Sequence, residues 1–343
     1  MARQPVAQTR RVREAVAKLE PSIRKAFEQA IQQAAGAVDQ RALLELLEAG
    51  QIERAVELLR INRAMLFPLD EAIRAGFIIG GTMVAADLPR GISGRFGFDG
   101  RHVRAEAWVR EHVGDLIQGI ERESIEMTRR VIRESIEAGR SSRAVAREIT
   151  GKKIGTRRVG GYLGLNSDQT DQVLRARSIL SDPEQIRSYF TKDAKTGRMK
   201  PRYKLSDRRF DARIKKAIAE GRALSGKDLD DVIEAHRSKA LGYRGRVIAK
   251  DQANSALSAG RDEAYAQMLD NPEVETVTVR WQKSPRENDR PDHQAMDGTV
   301  ITLGETFNFS DARMKYPHDP AGGAKHNLGC GCIAVYRVRF RRD

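Results

Sequence analysis

The stretch KHNLGCGCIAVYRVRF, residues 325–340, holds the chain's two cysteines, Cys330 and Cys332, one residue apart and just after His326. His318 lies shortly upstream and His293 in an earlier segment, so five soft or borderline metal donors gather late in the chain. Zinc favours a four-coordinate set of thiolate and imidazole ligands, and the thiolates of a Cys-x-Cys can hold one ion together. A structural zinc ion bound by His293, Cys330 and Cys332, with His318 or His326 as fourth ligand, is one expectation. A plainer one competes: residues i and i+2 of a strand share a face, so the pair can serve as small buried hydrophobes. A nucleophilic thiol would need a base held against it and oxyanion stabilisation, and the sequence supplies bases without fixing their geometry. RPDHQAMDG, residues 290–298, offers Asp292, His293 and Asp297 to a metal-dependent nuclease or to general-base chemistry. Its alternative is a loop in which His293 makes local hydrogen bonds and Gly298 supplies a turn.

The elements that must position these groups follow from hydrophobic period. Up to about residue 270 the apolar spacing is mainly helical. In residues 41–67 leucines recur at three- and four-residue steps, and Gly50 falls where a C-cap glycine separates two helices. The stripes at 43–47 and 56–66 suit either a partner's face or this chain's own core. A longer helix is predicted over 102–138, with Trp108 or Val109, Val113, Leu116, Ile120, Met127 and Val131 on one stripe and Gly139 as its stop. Ser141 or Ser142 can cap a short helix after it, whose successor is broken by Gly151, Gly155, Gly160, Gly161 and Gly164. That glycine content argues against a recognition helix, and so against a helix-turn-helix reading of DNA sequence. The run 75–86, AGFIIGGTMVAA, is too short to span a bilayer and reads as a buried Gly-rich helix or loop.

Beyond about 270 the period becomes two. VETVTVRW places Val277, Val279 and Trp281 on one side, VYRVRFRR places Tyr336, Val338 and Phe340 inward, and TVITL at 299–303 reads as a short strand between them. The predicted fold class is therefore α+β, a mainly helical body with long helices followed by a small C-terminal antiparallel β unit. Three segments are expected: an N-terminal helical region (1–138), a basic helical middle (139–242) and a C-terminal module of a long helix plus the β unit (243–343).

The chain has 343 residues with 61 Lys and Arg against 47 Asp and Glu, a formal net charge of +14. Such a surplus predicts a polyanionic partner. The charge is uneven, with twelve cations against three aspartates in residues 187–216 and ten against three glutamates in 129–158. These runs are either solvated faces or phosphate contacts, and the candidate DNA contacts are Lys192, Lys195, Arg198, Lys200, Arg202, Lys204, Arg208 and Arg209. Tyr189, Phe190, Tyr203 and Phe210 are too scattered for a base-stacking platform, so contact with DNA is expected to ignore sequence. Two cysteines make no disulfide framework, and no charged leader runs into an apolar core. The chain is expected to stay unsecreted, away from membranes, with reduced thiols.

The order of motifs resembles a known family. YRGRVIAKDQANSALSAGRDEAYAQ (243–267), a Val-rich strand ending in Trp281, RPDHQAMDG, YPHDP and a closing Cys-x-Cys are similar to the Mu F-like head morphogenesis or minor capsid proteins of tailed bacteriophages. The family's His-x-x-Met-x-Gly loop is matched by His293, Met296 and Gly298, its Pro-x-Asp-Pro segment by Pro317, Asp319 and Pro320, and its closing cysteines by Cys330 and Cys332. Asp251 and Gln252 stand where the family has Thr and Glu, and NLGCGC is two residues longer than the family's Asn-Cys-Arg-Cys and lacks its arginine. The resemblance covers about 243–340, with weaker similarity through the helices of 102–150. It implies a virion protein without enzymatic turnover, inside the head near the portal vertex, present in the host cytoplasm during assembly. The implied partners are the portal protein, docked through the region before about 240, the major capsid or scaffold protein, and genomic DNA. The implied work is head assembly, genome packaging or DNA delivery. The enzymatic alternative is a metal-dependent nuclease or other enzyme delivered with the genome.

Overall fold

The computed structural model describes residues 3–88, 96–155, 157–285 and 290–341. Residues 286–289, within the loop 282–298, lie outside the described residues. The helices are α1 (Arg3–Ala37), α2 (Gln40–Glu48), α3 (Ile52–Leu58), α4 (Phe67–Thr82), α5 (Val103–Glu137), α6 (Ser142–Thr150), α7 (Ser167–Leu180), α8 (Asp211–Ala219), α9 (Gly226–Leu269), α10 (Pro291–Ala295) and α11 (Gly323–Asn327). The strands are β1 (Lys152–Ile154), β2 (Arg157–Val159), β3 (Phe190–Lys192), β4 (Met199–Pro201), β5 (Val274–Gln282), β6 (Val300–Thr302), β7 (Phe307–Asn308), β8 (Arg313–Met314) and β9 (Ile333–Phe340). The class is α+β, as the two hydrophobic periods require. Among the described residues no helix is long and apolar enough to cross a membrane.

Two compact units are assembled from separate stretches of chain. One comprises Met1–Phe27, Phe67–Leu116 and Arg246–Asp343, and the other Glu28–Leu66 and Ile117–Gly245. In the second unit, the Asp39 side chain accepts hydrogen bonds from the Arg41 and Ala42 amides and so starts α2. Gly50, at φ 66°, makes the turn into α3. Leu43, Leu47, Val56, Leu59 and Leu66 are buried there, so these residues of the stripes belong to this chain's own core. Along α5 the buried residues include Val109, Val113, Ile117, Ile120, Met127 and Val131. Trp108 and Leu116 are half-buried instead. The stripe therefore runs through Val109, one of the two residues expected there, and through Ile117 in place of Leu116. The Ser141 hydroxyl accepts from the Ala144 amide and caps α6.

Two hairpins in this unit have no counterpart in the sequence reading. β1 pairs with β2 (Lys153 opposite Arg158), and β3 with β4 (Thr191 opposite Lys200), both antiparallel. Their three-residue strands of mainly Lys, Arg and Thr carry no apolar alternation to betray them. In the second hairpin Asp193 shapes the turn, its carboxylate accepting from the Lys195 and Thr196 amides at 3.0 and 2.9 Å.

In the first unit, α4 and α9 meet backbone to backbone. A Cβ on Gly260 would lie 1.9 Å from the Phe77 carbonyl oxygen, and one on Gly80 would lie 2.4 Å from that of Leu257. The run 75–86 is thus helical through Thr82, and its glycines permit the close approach. β5 is the centre of an antiparallel sheet of order β6-β5-β9. Val279 faces Ile301 on one side and Tyr336 on the other. Val277, Val279 and Trp281 are fully buried, as their alternation predicts, and Tyr336 is buried on β9. Gln8 of α1 bridges this sheet's edge, donating to the Tyr336 carbonyl and accepting from its amide at 2.9 and 3.0 Å.

Candidate metal centre

The site grows from the ends of β5 and β9. After Gln282 the chain leaves β5, passes through the single turn of α10 and returns at Gly298, whose amide donates to the Trp281 carbonyl at 2.9 Å. Gly298 has φ 84°, a left-handed conformation that residues with a Cβ rarely take. Asp297 pins the base of the loop by accepting from the Lys283 amide at 2.9 Å. Pro291 opens α10, which sets His293 edge-on against Trp281 with 5.4 Å between ring centroids. Asp319 organises the second loop, accepting from the Lys315 and Ala321 amides, while the Asn327 side chain donates to the Asp319 carbonyl. This places His326 on α11 and returns the chain to Cys330 and Cys332 immediately before β9. Arg290 ties the two loops together by donating to the carbonyls of His326 and Leu328.

His293, Cys330 and Cys332 are all buried, and their ligand atoms lie within 4.8 Å of one another. Nδ1 of His293 faces both sulfurs, at 3.5 Å from Cys330 and 3.6 Å from Cys332. The other ring nitrogen, Nε2, is 3.1 Å from Nδ1 of His326, whose own Nε2 is 3.0 Å from the Asp311 carboxylate. One set of tautomers satisfies the whole line. His293 donates from Nε2 to His326, His326 donates from Nε2 to Asp311, and Nδ1 of His293 keeps a free lone pair directed at the sulfurs. A metal-bound histidine characteristically gives its second N–H to such a chain, which fixes its orientation. Asp311 is held below the usual carboxylate range by hydrogen bonds from Lys325 and then His326, and so remains an acceptor.

The sulfurs are also prepared. The Cys332 amide donates to the Cys330 sulfur at 3.3 Å, and the Ser284 amide donates to the Cys332 sulfur. Backbone donors of this kind stabilise thiolates. The hydrogen bond with Cys330 and then burial push the Cys332 thiol up, so a cation is needed before both cysteines can ionise. A divalent ion with two thiolates and a neutral imidazole is electroneutral, which is the form in which such a charge tolerates burial. These donors fit zinc, which supplies Lewis-acid and cross-linking chemistry. A second trio, Asp292, His293 and His326, also brings its ligand atoms within 4.8 Å, but its carboxylate is half-buried and it shares His293 with the sulfur set.

His318 is not in either group. It is buried at φ 70° in the same unit, its carbonyl accepting from the Ser255 hydroxyl at 2.9 Å, and neither ring nitrogen has a hydrogen-bond partner among the described residues. Burial lowers it to about 4 against the opposing effect of Asp251, so it stays neutral. Of the nuclease candidates, Asp292 and His293 fall in one ligand group with His326, while Asp297 is in neither group and accepts from the Lys283 amide at the loop base. Asp311 and Ser284 were not picked out by sequence reasoning, and Asp251 was noted only as a departure from the family pattern. Each is an ordinary polar residue until the chain folds.

The eight basic candidates of the middle region are all exposed. Lys192, Lys195, Arg198 and Lys200 belong to the β3–β4 hairpin, Arg202 and Lys204 follow it, and Arg208 and Arg209 form a 3-10 turn. Lys200 pairs with Asp193 at 2.5 Å and Arg209 with Asp207 at 2.7 Å, whereas Lys192, Lys195, Arg198 and Lys204 have no ion-pair partner among the described residues.

Residues 208–335 match the family described as phage Mu protein F like protein. This stretch of the chain is Mu F-like. It contains His293, His318, His326, Cys330 and Cys332, so every candidate metal donor lies inside the Mu F-like region. A further similarity, 32% identity over 92 residues, is to the Bacillus subtilis (strain 168) Uncharacterized protein YqbB, and covers 26% of this chain and 29% of that protein. The chain therefore spans less than a third of that relative's length. No solved structure matches.

Proposed function

We propose that this chain is a minor capsid, or head morphogenesis, protein of a tailed bacteriophage, which associates with the portal inside the head and assists assembly, packaging or delivery of the genome. The observation that carries this reading is the Mu F-like region at 208–335. Its work is binding and placement, without turnover. The buried leucine stripes of α2 and α3 leave portal docking to exposed faces, among which Phe67 and Val103 are large apolar side chains with 58% and 76% exposure. The test is co-expression of the full-length chain with the portal protein of the same phage. We expect the two to co-purify, and virions lacking this chain to lose infectivity, packaged DNA or assembly. Normal virions made without it would overturn the proposal.

The basic hairpins support non-specific contact with packaged DNA. Each phosphate neutralised contributes a slope of about −0.9 to the dependence of log K on log salt. The substitutions Lys192→Ala, Lys195→Ala and Arg198→Ala, made together, are expected to flatten that slope by roughly 2 to 3 on any duplex. Titration of unrelated duplexes at several salt concentrations checks this. An unchanged slope, or preference for one sequence, would contradict it.

A further inference from the structure

We propose that the metal bound by His293, Cys330 and Cys332 keeps one exchangeable coordination position, taken by water or a small monoanion that enters through a groove lined by α1, α9 and the loop residues beside Cys330. This rests on the metal reading of the same three residues. Zinc with four protein ligands is closed, whereas zinc with three keeps its fourth position for water or another exogenous ligand. Among the described residues three donors converge here. His326 cannot become a fourth donor without breaking the line to Asp311, since both of its ring nitrogens are already engaged. His318 lies outside the group.

The groove gives that position a route to solvent. Its volume is about 330 Å³ and its lining includes Cys330 itself, with Ser284, Asn254, Lys250 and Arg13. Cys330 is 5% exposed, more than the 1% of His293 or Cys332, so the sulfur set is approached from the Cys330 side. Two cations against the single carboxylate of Glu20 among the described lining residues favour an anion over a cation. The charge balance limits how many. The ion, two thiolates and a neutral imidazole sum to zero, so one added monoanion leaves one negative charge, which Lys250 at the groove wall can offset. The ligand class is thus a small oxygen or nitrogen donor of charge minus one, such as a carboxylate.

Cobalt(II) is the probe, because its visible bands report coordination number and its near-ultraviolet absorption reports thiolate ligation. Full-length chain titrated with cobalt(II) should take up one equivalent with thiolate charge-transfer absorption that is absent in Cys330→Ser and Cys332→Ser. Azide, and separately acetate, should then change the visible bands saturably, with affinity weakened by about fivefold or more in Lys250→Glu. Visible bands that ignore both anions, while charge transfer persists, overturn the open position and leave the metal site standing. Anion binding equal in Lys250→Glu overturns the groove as the route. Absence of charge transfer in the unaltered chain sinks the metal reading itself.

Discussion

Replacing Cys330 or Cys332 with serine should release the metal and leave the C-terminal β unit open to protease. The segments 282–298, which carries His293, and 304–329, which leads to the cysteine pair, are long for a sheet of only three strands. Small β units bury too little apolar surface to hold long loops unaided and usually need a staple. Here the ion would join the α10 loop to the start of β9 through His293 and the cysteine pair. A bound structural zinc can supply about 10 kcal/mol of folding free energy. Serine keeps the shape of cysteine but is a poor zinc ligand, so it removes that contribution while leaving packing nearly intact. Elemental analysis of protein purified without a histidine tag should find about one zinc per chain, falling sharply in either variant. Asp311→Ala, which removes the acceptor at the outer end of the histidine line, should cost up to about 10-fold in metal affinity and leave the stoichiometry unchanged. If the protein holds no metal and both serine variants keep a fully protected C-terminal unit, the thiols are ordinary core side chains.

Gly260→Ala should cost about 3 kcal/mol or more, a large loss for one methyl group. The added Cβ would sit 1.9 Å from the Phe77 carbonyl oxygen, 2.9 Å from its carbon and 3.0 Å from the Gly81 amide nitrogen. Backbone cannot rotate away as a flexible side chain would, so α4 and α9 must separate and expose the apolar surface between them. Gly114→Ala is the control of opposite sign. It lies within α5 with nothing inside 4 Å of its ideal Cβ, and alanine there should stabilise by roughly 0.5 to 1 kcal/mol through helix propensity. Chemical denaturation of the two variants beside the unaltered chain checks both. Equal effects would mean that the α4–α9 contact is looser than the backbone distances imply.

The residue pattern alone determined the helix α5, the helix pair on either side of Gly50, the change to a period of two after residue 270, and the loop and cysteine motifs that mark the Mu F-like region. Each of these is local, because a helix or strand face repeats every few residues whatever lies opposite it. The buried alternation of Val277, Val279 and Trp281 was legible for that reason, as were the capping of α6 by Ser141 and the turn at Gly298. Tertiary structure alone decided which donors meet. His318 and His326 are equally plausible zinc ligands by spacing, yet the fold turns His326 toward His293 and Asp311 and leaves His318 beside Asp251. Tertiary structure also brought residues 1–27 into one unit with the C-terminal sheet, closed the leucine stripes of α2 and α3 into a core, and paired the short cationic strands into hairpins. None of these has a sequence period, since each depends on a partner far away in the chain, and a partner's identity is set by packing.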